Sequence, residues 1–526
     1  MRILVSDSIS EKGVEILRNA GLIVDVKTKL TPSELINIIS EYDGLVVRSA
    51  TKVTADVVNA AKNLKVVGRA GAGLDNIDLA ASTKKGVVVM NTPGGNTVTT
   101  AEHAIAMLLS LVRKIPQATA STKSGKWEKN KFTGQEFYNK TLGIVGMGRV
   151  GGHVAKLGHG LMMNVLAFDP FLSPENAQKA GVELVNLDEI YRRSDFITIH
   201  TPLTAETKNL IGTEAINKMK DGVLIVNCAR GGIVDETALY EGLKSKKIGG
   251  AAFDVFVQEP VDTQNPILLL ENFVCTPHLG ASTSEAQENV ALAIAEQIVD
   301  YLTKGIIRNA ANLPSVSPDV LAKLQPYISL AEKLGAFQSS ICEGGIEKVS
   351  IEYRGKVAEL SVAPLTIAAL KGLLSPILED TVNYVNAPTI AQERGIGVEE
   401  STNRDAGDYI SLITMKVQTT AGTNEAKGAL FSRRDPRIIE INGYPLEVVP
   451  EGYMIVLSNI DKPGVVGNIG TILSQHNINI ARMQFGRDFP GGKVLSVISI
   501  DSPASPELME QIKTLPNVLS VKQIKL

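Results

Sequence analysis

Residues 143–151 read Gly143-Ile-Val-Gly146-Met-Gly148-Arg-Val-Gly151, and eighteen residues further on Asp169 closes a second apolar run. That spacing belongs to a strand–helix–strand unit built to hold a dinucleotide. Gly146 permits the tight turn out of the strand, Gly148 lets the backbone approach a pyrophosphate, and Gly151 lets the helix pack closely on the sheet. The helix N-terminus adds amide donors and the positive end of its dipole. Asp169 is placed to accept hydrogen bonds from ribose hydroxyls and to repel a 2′-phosphate. Pro170 and Phe171 follow it, with no arginine to receive that phosphate, so NAD is favoured over NADP. A glycine-rich turn alone can simply close a strand. Two flanking apolar strands and an acid at this distance favour the nucleotide.

Working outward, residues 1–95 alternate short apolar runs (2–6, 44–48, 65–69 and 87–91) with helical patterns at 11–20 and 33–40. Alternation of this kind predicts a doubly wound parallel sheet. A long amphipathic helix at 99–114 leads into the glycine-turn unit. That unit continues through 196–200, 222–227, 249–253 and 273–276, each fit for a strand buried on both faces. A helix at 286–302 is expected to return to the first unit. Residues 312–318 read as a linker. Beyond it, helices at 320–341 and 363–378 mix with strands at 348–353, 410–417 and 437–441. Residues 452–526 then read β-α-β-β-α-β.

At 526 residues the chain exceeds one core and predicts three or four domains. A net charge of −3 gives no electrostatic case for nucleic acid or an anionic membrane. No apolar stretch reaches the ~18–20 residues that span a bilayer, and the opening Met-Arg-Ile-Leu-Val-Ser-Asp reads as a strand rather than a signal peptide. The three cysteines, Cys228, Cys275 and Cys342, show neither metal-ligand spacing nor a disulfide framework. A reducing, cytoplasmic setting is expected, with no metal.

Three segments follow apolar strands of the second unit: Asn227-Cys-Ala-Arg230-Gly-Gly, Asp254-Val-Phe-Val-Gln-Glu259-Pro and Thr276-Pro-His278-Leu-Gly. Ligands in open α/β sheets bind beyond the carboxyl ends of the strands, so these segments can converge on a nicotinamide. An imidazole there moves a hydroxyl proton, a carboxylate raises its basicity and orients it, and a guanidinium clamps a substrate carboxylate. Taken singly, Arg230 reads as a surface arginine and Glu259-Pro as an ordinary turn. His103, His153, His159, His200 and His476 read as structural. Cys228 reads as a small wall residue, since hydride transfer needs no thiolate. Arg48 and Arg69 end two strands of the first unit and face the cleft, either to hold a second anionic group or as interdomain salt-bridge arginines.

This arrangement resembles the D-specific 2-hydroxyacid dehydrogenase family, whose motif supplies an arginine, a glutamate and a histidine in this order, matching Arg230, Glu259 and His278. The likeness covers residues 1–310 and includes Asp169, Thr201-Pro-Leu and Pro-His-Leu-Gly in register. It implies an α/β fold with two doubly wound, Rossmann-like domains. These are a substrate-binding domain (1–98 and 285–310) and an NAD-binding domain (99–284). They precede an α+β intervening domain (311–450) and a βαββαβ ACT domain (451–526). It further implies that Thr201, Cys228, Ala229, Arg230, Asp254, His278, Gly280 and Ala281 line the NAD site, with Arg149 and Val150 at the pyrophosphate.

Within the family the chain is similar to the long members that oxidise 3-phospho-D-glycerate to 3-phosphohydroxypyruvate, the first step toward serine. There Arg48 and Arg69 would grip the phosphate, and amides of Gly71, Ala72 and Gly73 the carboxylate. Asn96 and Thr97 match the substrate and hinge loop, and Lys129 and Lys131 would reach a neighbouring subunit's phosphate. Ala72 stands where the family often has threonine, which removes one hydroxyl contact to NAD. A dimer through the cofactor domains and a tetramer overall are implied. Asn459, Asp461 and Asn479 of the ACT-like segment would receive an amino-acid effector, L-serine, across a domain interface. The alternative is a dimerisation module that binds nothing. Arg433, Arg434 and Arg437 form either a solvated strand end or an anion site, and no chemistry is assigned to them. Competing readings of the whole are a glycerate or glyoxylate reductase and a non-enzymatic NAD-sensing corepressor.

Overall fold

A computed structural model describes residues 1–314, 318–378, 381–432 and 434–526. Part of the expected linker and Arg433 lie outside the described residues. The first four apolar runs and one further strand form an all-parallel sheet in the order Ile23–Val26, Arg2–Val5, Gly44–Val47, Val66–Arg69, Val88–Met90. Its last four strands are almost wholly buried, each fully buried Val, Ile or Leu contributing about 1.5–3 kcal/mol. Ile23–Val26 carries no apolar alternation, sits at the edge half-exposed, and escapes a reading based on hydrophobic pattern.

The second sheet is also all-parallel and has seven strands. Its order is Phe273–Cys275, Ile248–Phe253, Val223–Asn227, Phe196–Ile199, Thr141–Val145, Asn164–Phe168, Glu183–Leu184. Strand order reverses between Thr141–Val145 and Phe196–Ile199, which pair directly. This is the switch point at which such sheets open a crevice at their carboxyl edge. Gly146 and His200 follow these two strands, and a Cβ on Gly146 (φ 96°) would lie 2.8 Å from the His200 carbonyl oxygen.

Two long helices cross between the units. Thr97–Val112 buries Ala101, Ala104, Leu108 and Leu111 against the seven-stranded sheet. The periodicity predicted one helix to residue 114. Instead Lys114 turns left-handed (φ 54°) and a second helix, Ile115–Lys123, starts with Pro116 in its first turn. A proline clashes with the preceding turn, so the first helix cannot run through it. Ser284–Lys304 is capped by the Thr283 side chain, ends on left-handed Gly305, and returns to the five-stranded sheet. Ile294 and Ile298 lie over Gly68, where any Cβ would meet Ile298 Cδ1 at 2.6 Å.

The remaining chain builds two further sheets. One has the order Gly397–Asn403, Ile346–Gly355, Ser411–Thr419, Gly422–Phe431, Asp435–Ile441, Tyr444–Val448, covered by helices Pro318–Ile341 and Ala363–Leu378. The other is antiparallel, in the order Ile480–Arg487, Lys493–Ile500, Tyr453–Ile460, Val518–Lys525, with helices Val465–Gln475 and Pro506–Lys513. Its helix-free face contributes Met454, Val456, Val497 and Ile524 to the core of the six-stranded unit. Among the described residues no helix is long and apolar enough to cross a membrane.

Candidate active site

The glycine turn supplies one wall of the crevice. A Cβ on Gly151 would fall 2.0 Å from the Gly146 carbonyl oxygen, so glycine there is a packing requirement. Gly148 is the opposite case, with nothing within 4 Å of a built Cβ. The helix Arg149–Gly160 begins on Gly148 with no side-chain cap, leaving first-turn amides for a ligand. Asp169 ends the neighbouring strand, accepting from the Met147 amide through Oδ2 and the Phe171 amide through Oδ1, both at 2.8 Å. Among the described residues Thr201 Oγ1, which lines the crevice, is buried without a hydrogen-bond partner. An orphaned hydroxyl, an uncapped helix and the space at Gly148 fit a dinucleotide.

A cleft of about 960 Å³ opens between the two parallel sheets. Of the residues singled out in the sequence, it is lined by Arg48, Arg69, Gly71, Ala72, Gly73, Asn96, Val150, Thr201, Cys228, Ala229, Arg230, Asp254, Glu259, His278, Gly280 and Ala281. Gly146, Gly148, Arg149, Gly151 and Asp169 lie at the glycine turn instead. Arg149, expected at the pyrophosphate, turns its guanidinium to the Pro93 carbonyl of the crossing segment.

Within the cleft, His278 Nδ1 lies 2.7 Å from Glu259 Oε2. Glu259 Oε1 accepts from the Phe256 amide at 3.1 Å, which fixes the carboxylate plane. The Glu259 hydrogen bond raises the His278 pKa against the opposing pull of burial. Burial disfavours ionised Glu259, but the bonds from His278 and Phe256 outweigh it and hold its pKa below the usual carboxylate range. Among the described residues His278 Nε2 has no hydrogen-bond partner.

Asp254 builds the loop that carries this histidine. It is 1% exposed, and its oxygens accept from Thr276 Oγ1 (2.6 Å) and the amides of Leu279 and Gly280 (2.7 Å each). His103 Nε2 stands 3.2 Å from the same carboxylate and 3.1 Å from Thr276 Oγ1. Burial would raise the Asp254 pKa, yet His103 and these donors lower it. Expected to line the NAD site, Asp254 spends its carboxylate on the backbone beneath His278, itself left-handed at φ 56°. His103 was read as structural for want of a visible partner, because Asp254 lies about 150 residues away along the chain. His200 bonds Thr198 Oγ1, and burial pushes its pKa down to about 4, so it is neutral. Burial also raises the Cys228 thiol pKa, in keeping with a wall residue.

Three cations crowd the other side of the cleft. Arg230 Nη1 donates to its neighbour's carbonyl at Ala229 (2.7 Å), and Nε to Asp75 Oδ2 (3.0 Å). Arg69 Nε donates to Asn76 Oδ1 (3.0 Å). Arg48 donates its amide to Asp7 Oδ2 and Nη1 to the Ser8 carbonyl. Burial, then the nearby Arg230 and Arg48 charges, push Arg69 down to about 10. Charge packed this way calls for an anion. Asp75 and Asn76 were missed; the available signal was a carboxylate and an amide directly after the Arg69–Gly73 segment.

The effector candidates do not meet within one chain. Asn459 is 5% exposed and bonds Ser496 Oγ; Asp461 accepts from Arg487 and the Gly491 amide; Asn479 donates to Asp501. Tyr453 pairs with Ile500 and Ile460 with Lys493, so Asp461 and Asn479 flank opposite ends of one strand. Arg437 pairs with Glu447 and lies over the Phe431 ring.

The family described as D-isomer specific 2-hydroxyacid dehydrogenase, NAD binding domain, matches residues 105–280. The D-3-phosphoglycerate dehydrogenase intervening domain matches 323–442, and the ACT domain 453–517. A D-3-phosphoglycerate dehydrogenase of Archaeoglobus fulgidus is 48% identical over the whole of both chains. That of Methanocaldococcus jannaschii is 43% identical, again over all of both, and that of Bacillus subtilis 42% over 100% and 99%. Among solved structures, the D-lactate dehydrogenase of Escherichia coli covers 59% of this chain and 100% of its own (29% identity, TM-score 0.53). A glyoxylate reductase covers 59% and 98% (28% identity, TM-score 0.55).

Proposed function

The chain belongs to the D-3-phosphoglycerate dehydrogenases, and from that premise we propose that its cleft oxidises 3-phospho-D-glycerate at C2 to 3-phosphohydroxypyruvate, opening L-serine synthesis. It is an NAD-dependent oxidoreductase. The carrying observation is the cleft itself, where the Glu259–His278 pair faces three guanidiniums. When bound, NAD supplies the acceptor for the hydride leaving C2. Gly146, Gly148, Val150, Gly151 and Asp169 would hold its phosphates and ribose, and Thr201, Cys228 and Ala229, which line the cleft, would receive its nicotinamide.

His278 takes the C2 hydroxyl proton on Nε2, and Glu259 stabilises the imidazolium that forms. Arg230 clamps the substrate carboxylate and polarises the C2 oxygen. Arg48 and Arg69 take the phosphate, whose charge offsets the burial and the neighbouring cations that lower the Arg69 pKa. Amides of Gly71, Ala72 and Gly73 and the Asn96 side chain complete the substrate site. An unphosphorylated hydroxy acid leaves the two phosphate arginines without an anion, which is why the phosphorylated substrate is preferred to glycerate or glyoxylate.

The ACT segment binds an amino-acid effector, which we assign as L-serine, between two copies. Asp461 of one and Asn479 of the other meet only across such an interface. Homo-oligomerisation, as a dimer or tetramer, is further supported by helix Ile115–Lys123, which buries none of its residues within the chain. A cytoplasmic location is part of the same reading. NADH production with 3-phospho-D-glycerate, compared with D-glycerate and run with and without L-serine, tests it. Equal kcat/KM for both acids rejects phosphate recognition.

A further inference from the structure

We propose that the adjacent residues Asp75 and Asn76 are positioning residues that aim the three cleft guanidiniums. Asp75 serves the carboxylate end of the substrate and Asn76 the phosphate end. The inference rests on the roles given above to Arg230, Arg48 and Arg69.

Arg230 comes from the seven-stranded unit, whereas Asp75 sits on a loop of the five-stranded one. Their contact, Nε to Oδ2 at 3.0 Å, therefore bridges the cleft. With Nη1 donating to the Ala229 carbonyl, two of the three guanidinium nitrogens are fixed by the protein. The third, Nη2, lies against Gly73, where a Cβ would come within 2.2 Å of it. Geometry thus leaves Nη2 of Arg230 for a ligand, and a side chain at Gly73 would displace it. At 67% side-chain exposure Asp75 adds little to stability, which leaves orientation as its contribution.

Asn76 does the same work for the other pair. Its Oδ1 accepts from Arg69 Nε at 3.0 Å, and its Nδ2 donates to the carbonyls of Arg48 and Thr51, each at 2.7 Å. One amide therefore ties the backbone that presents Arg48 to the guanidinium of Arg69. Because the two residues are consecutive, the spacing between carboxylate clamp and phosphate clamp is set by a single loop.

The test is steady-state kinetics of the full-length enzyme on 3-phospho-D-glycerate and D-glycerate, with melting temperatures recorded for every variant. Hydrogen bonds to charged groups set the scale at about tenfold to a hundredfold in kcat/KM. Asp75→Ala is expected to lower kcat/KM by that factor on both acids alike, with KM raised and melting unchanged. Asp75→Asn, which keeps an acceptor at the same place, is expected to recover most of the loss. Added to Arg230→Ala, Asp75→Ala should cost less than about twofold more. Asn76→Ala is expected to reduce turnover of the phosphorylated acid only, narrowing the ratio between substrates. Asn76→Gln, which keeps both an acceptor for Arg69 and an amide donor, covers the case in which the alanine variant melts early, and should lose less of that ratio.

An Asp75→Ala enzyme with unchanged or lower KM would mean that the carboxylate merely tempers the positive field, and the proposal falls. Additive losses with Arg230→Ala, or equal losses on both acids in the Asn76 variants, overturn it as well. A wild-type enzyme that does not distinguish the two acids refutes phosphate recognition instead. The Asp75 arm is still decided by its own fold-change on either acid.

Discussion

Gly148 and Gly151 stand three residues apart in one turn, yet the structure assigns them opposite sensitivities to a single methyl group. At Gly151 a Cβ would lie 2.0 Å from the Gly146 carbonyl oxygen, and real Cβ atoms do not come within 3.0 Å. The helix must therefore retreat by about 1 Å from a turn that is itself wedged against the His200 backbone. Overpacking of this kind costs about 1–3 kcal/mol, and at roughly 2–4 °C per kcal/mol melting should fall by about 2–12 °C. At Gly148 a Cβ meets nothing within 4 Å, and φ −66°, ψ −158° is accessible to alanine. Gly148→Ala should then change stability by no more than about 0.5 kcal/mol. Its methyl group would instead occupy the space kept for the pyrophosphate. Loss of even one charge-assisted amide contact weakens binding by about tenfold to a hundredfold. Calorimetry without nucleotide, paired with NADH fluorescence titration, separates the two. If Gly148→Ala melts early, or binds NADH as tightly as wild type, the assignment of the turn is wrong. A Gly151→Ala enzyme of undiminished stability would refute the packing argument in the same experiment.

Glu259→Gln removes the partner that raises the His278 pKa. Oxidation needs the neutral imidazole, so the rising limb of kcat/KM against pH should move to lower pH, and an unmoved limb would detach Glu259 from the proton transfer. His278→Ala is expected to cut kcat by ~10²–10⁴, and near-normal turnover would remove His278 as the base. Arg230→Ala should raise KM and lower kcat together, since the clamp acts in both ground and transition states; a pure KM effect would restrict it to binding. Equilibrium dialysis of the full chain with L-serine should show saturable binding that Asp461→Ala abolishes, and absence of binding in the parent leaves the last segment as an assembly module.

Much of the cofactor wall was legible because its constraints are local. The turn at Gly146, the close approach at Gly151 and the acid at Asp169 lie within one strand–helix–strand unit and leave their mark as fixed spacing. That Arg230, Glu259 and His278 line one cleft was legible differently, through motifs at three strand ends and a family likeness. Their supports were not. His103 and Asp254 meet across about 150 residues, and Asp75 reaches Arg230 across 155, so neither contact leaves a periodic or short-range signal. Edge strands failed for a physical reason too: Ile23–Val26 and the fully exposed Gly397–Asn403 bury too little for hydrophobic pattern to reveal them. The effector residues expose another limit, since sequence places Asp461 and Asn479 in one small fold without saying that they occupy opposite ends of its sheet.

How the last two units are joined bears on any signal passing to the cleft. The four-stranded sheet shares a continuous apolar core with the six-stranded unit through Met454, Val456, Val497 and Ile524, and Lys522 is bonded to the carbonyls of Ile341 and Cys342. Sliding these two past each other would expose that core. Contact with the five-stranded unit is narrower: Asn383 donates to the Gly86 carbonyl, Lys84 pairs with Glu393, and Val385 enters the neighbouring core. Tyr384, in the middle of that contact, is held from behind by Glu332 of the long helix Pro318–Ile341, which also binds Lys371. Surface pairs such as Lys84–Glu393 contribute ~1 kcal/mol or less, far below the shared core. The narrower of these two contacts therefore lies at Gly86, behind the sheet that carries Arg48 and Arg69, and the broader one at the boundary of the ACT segment.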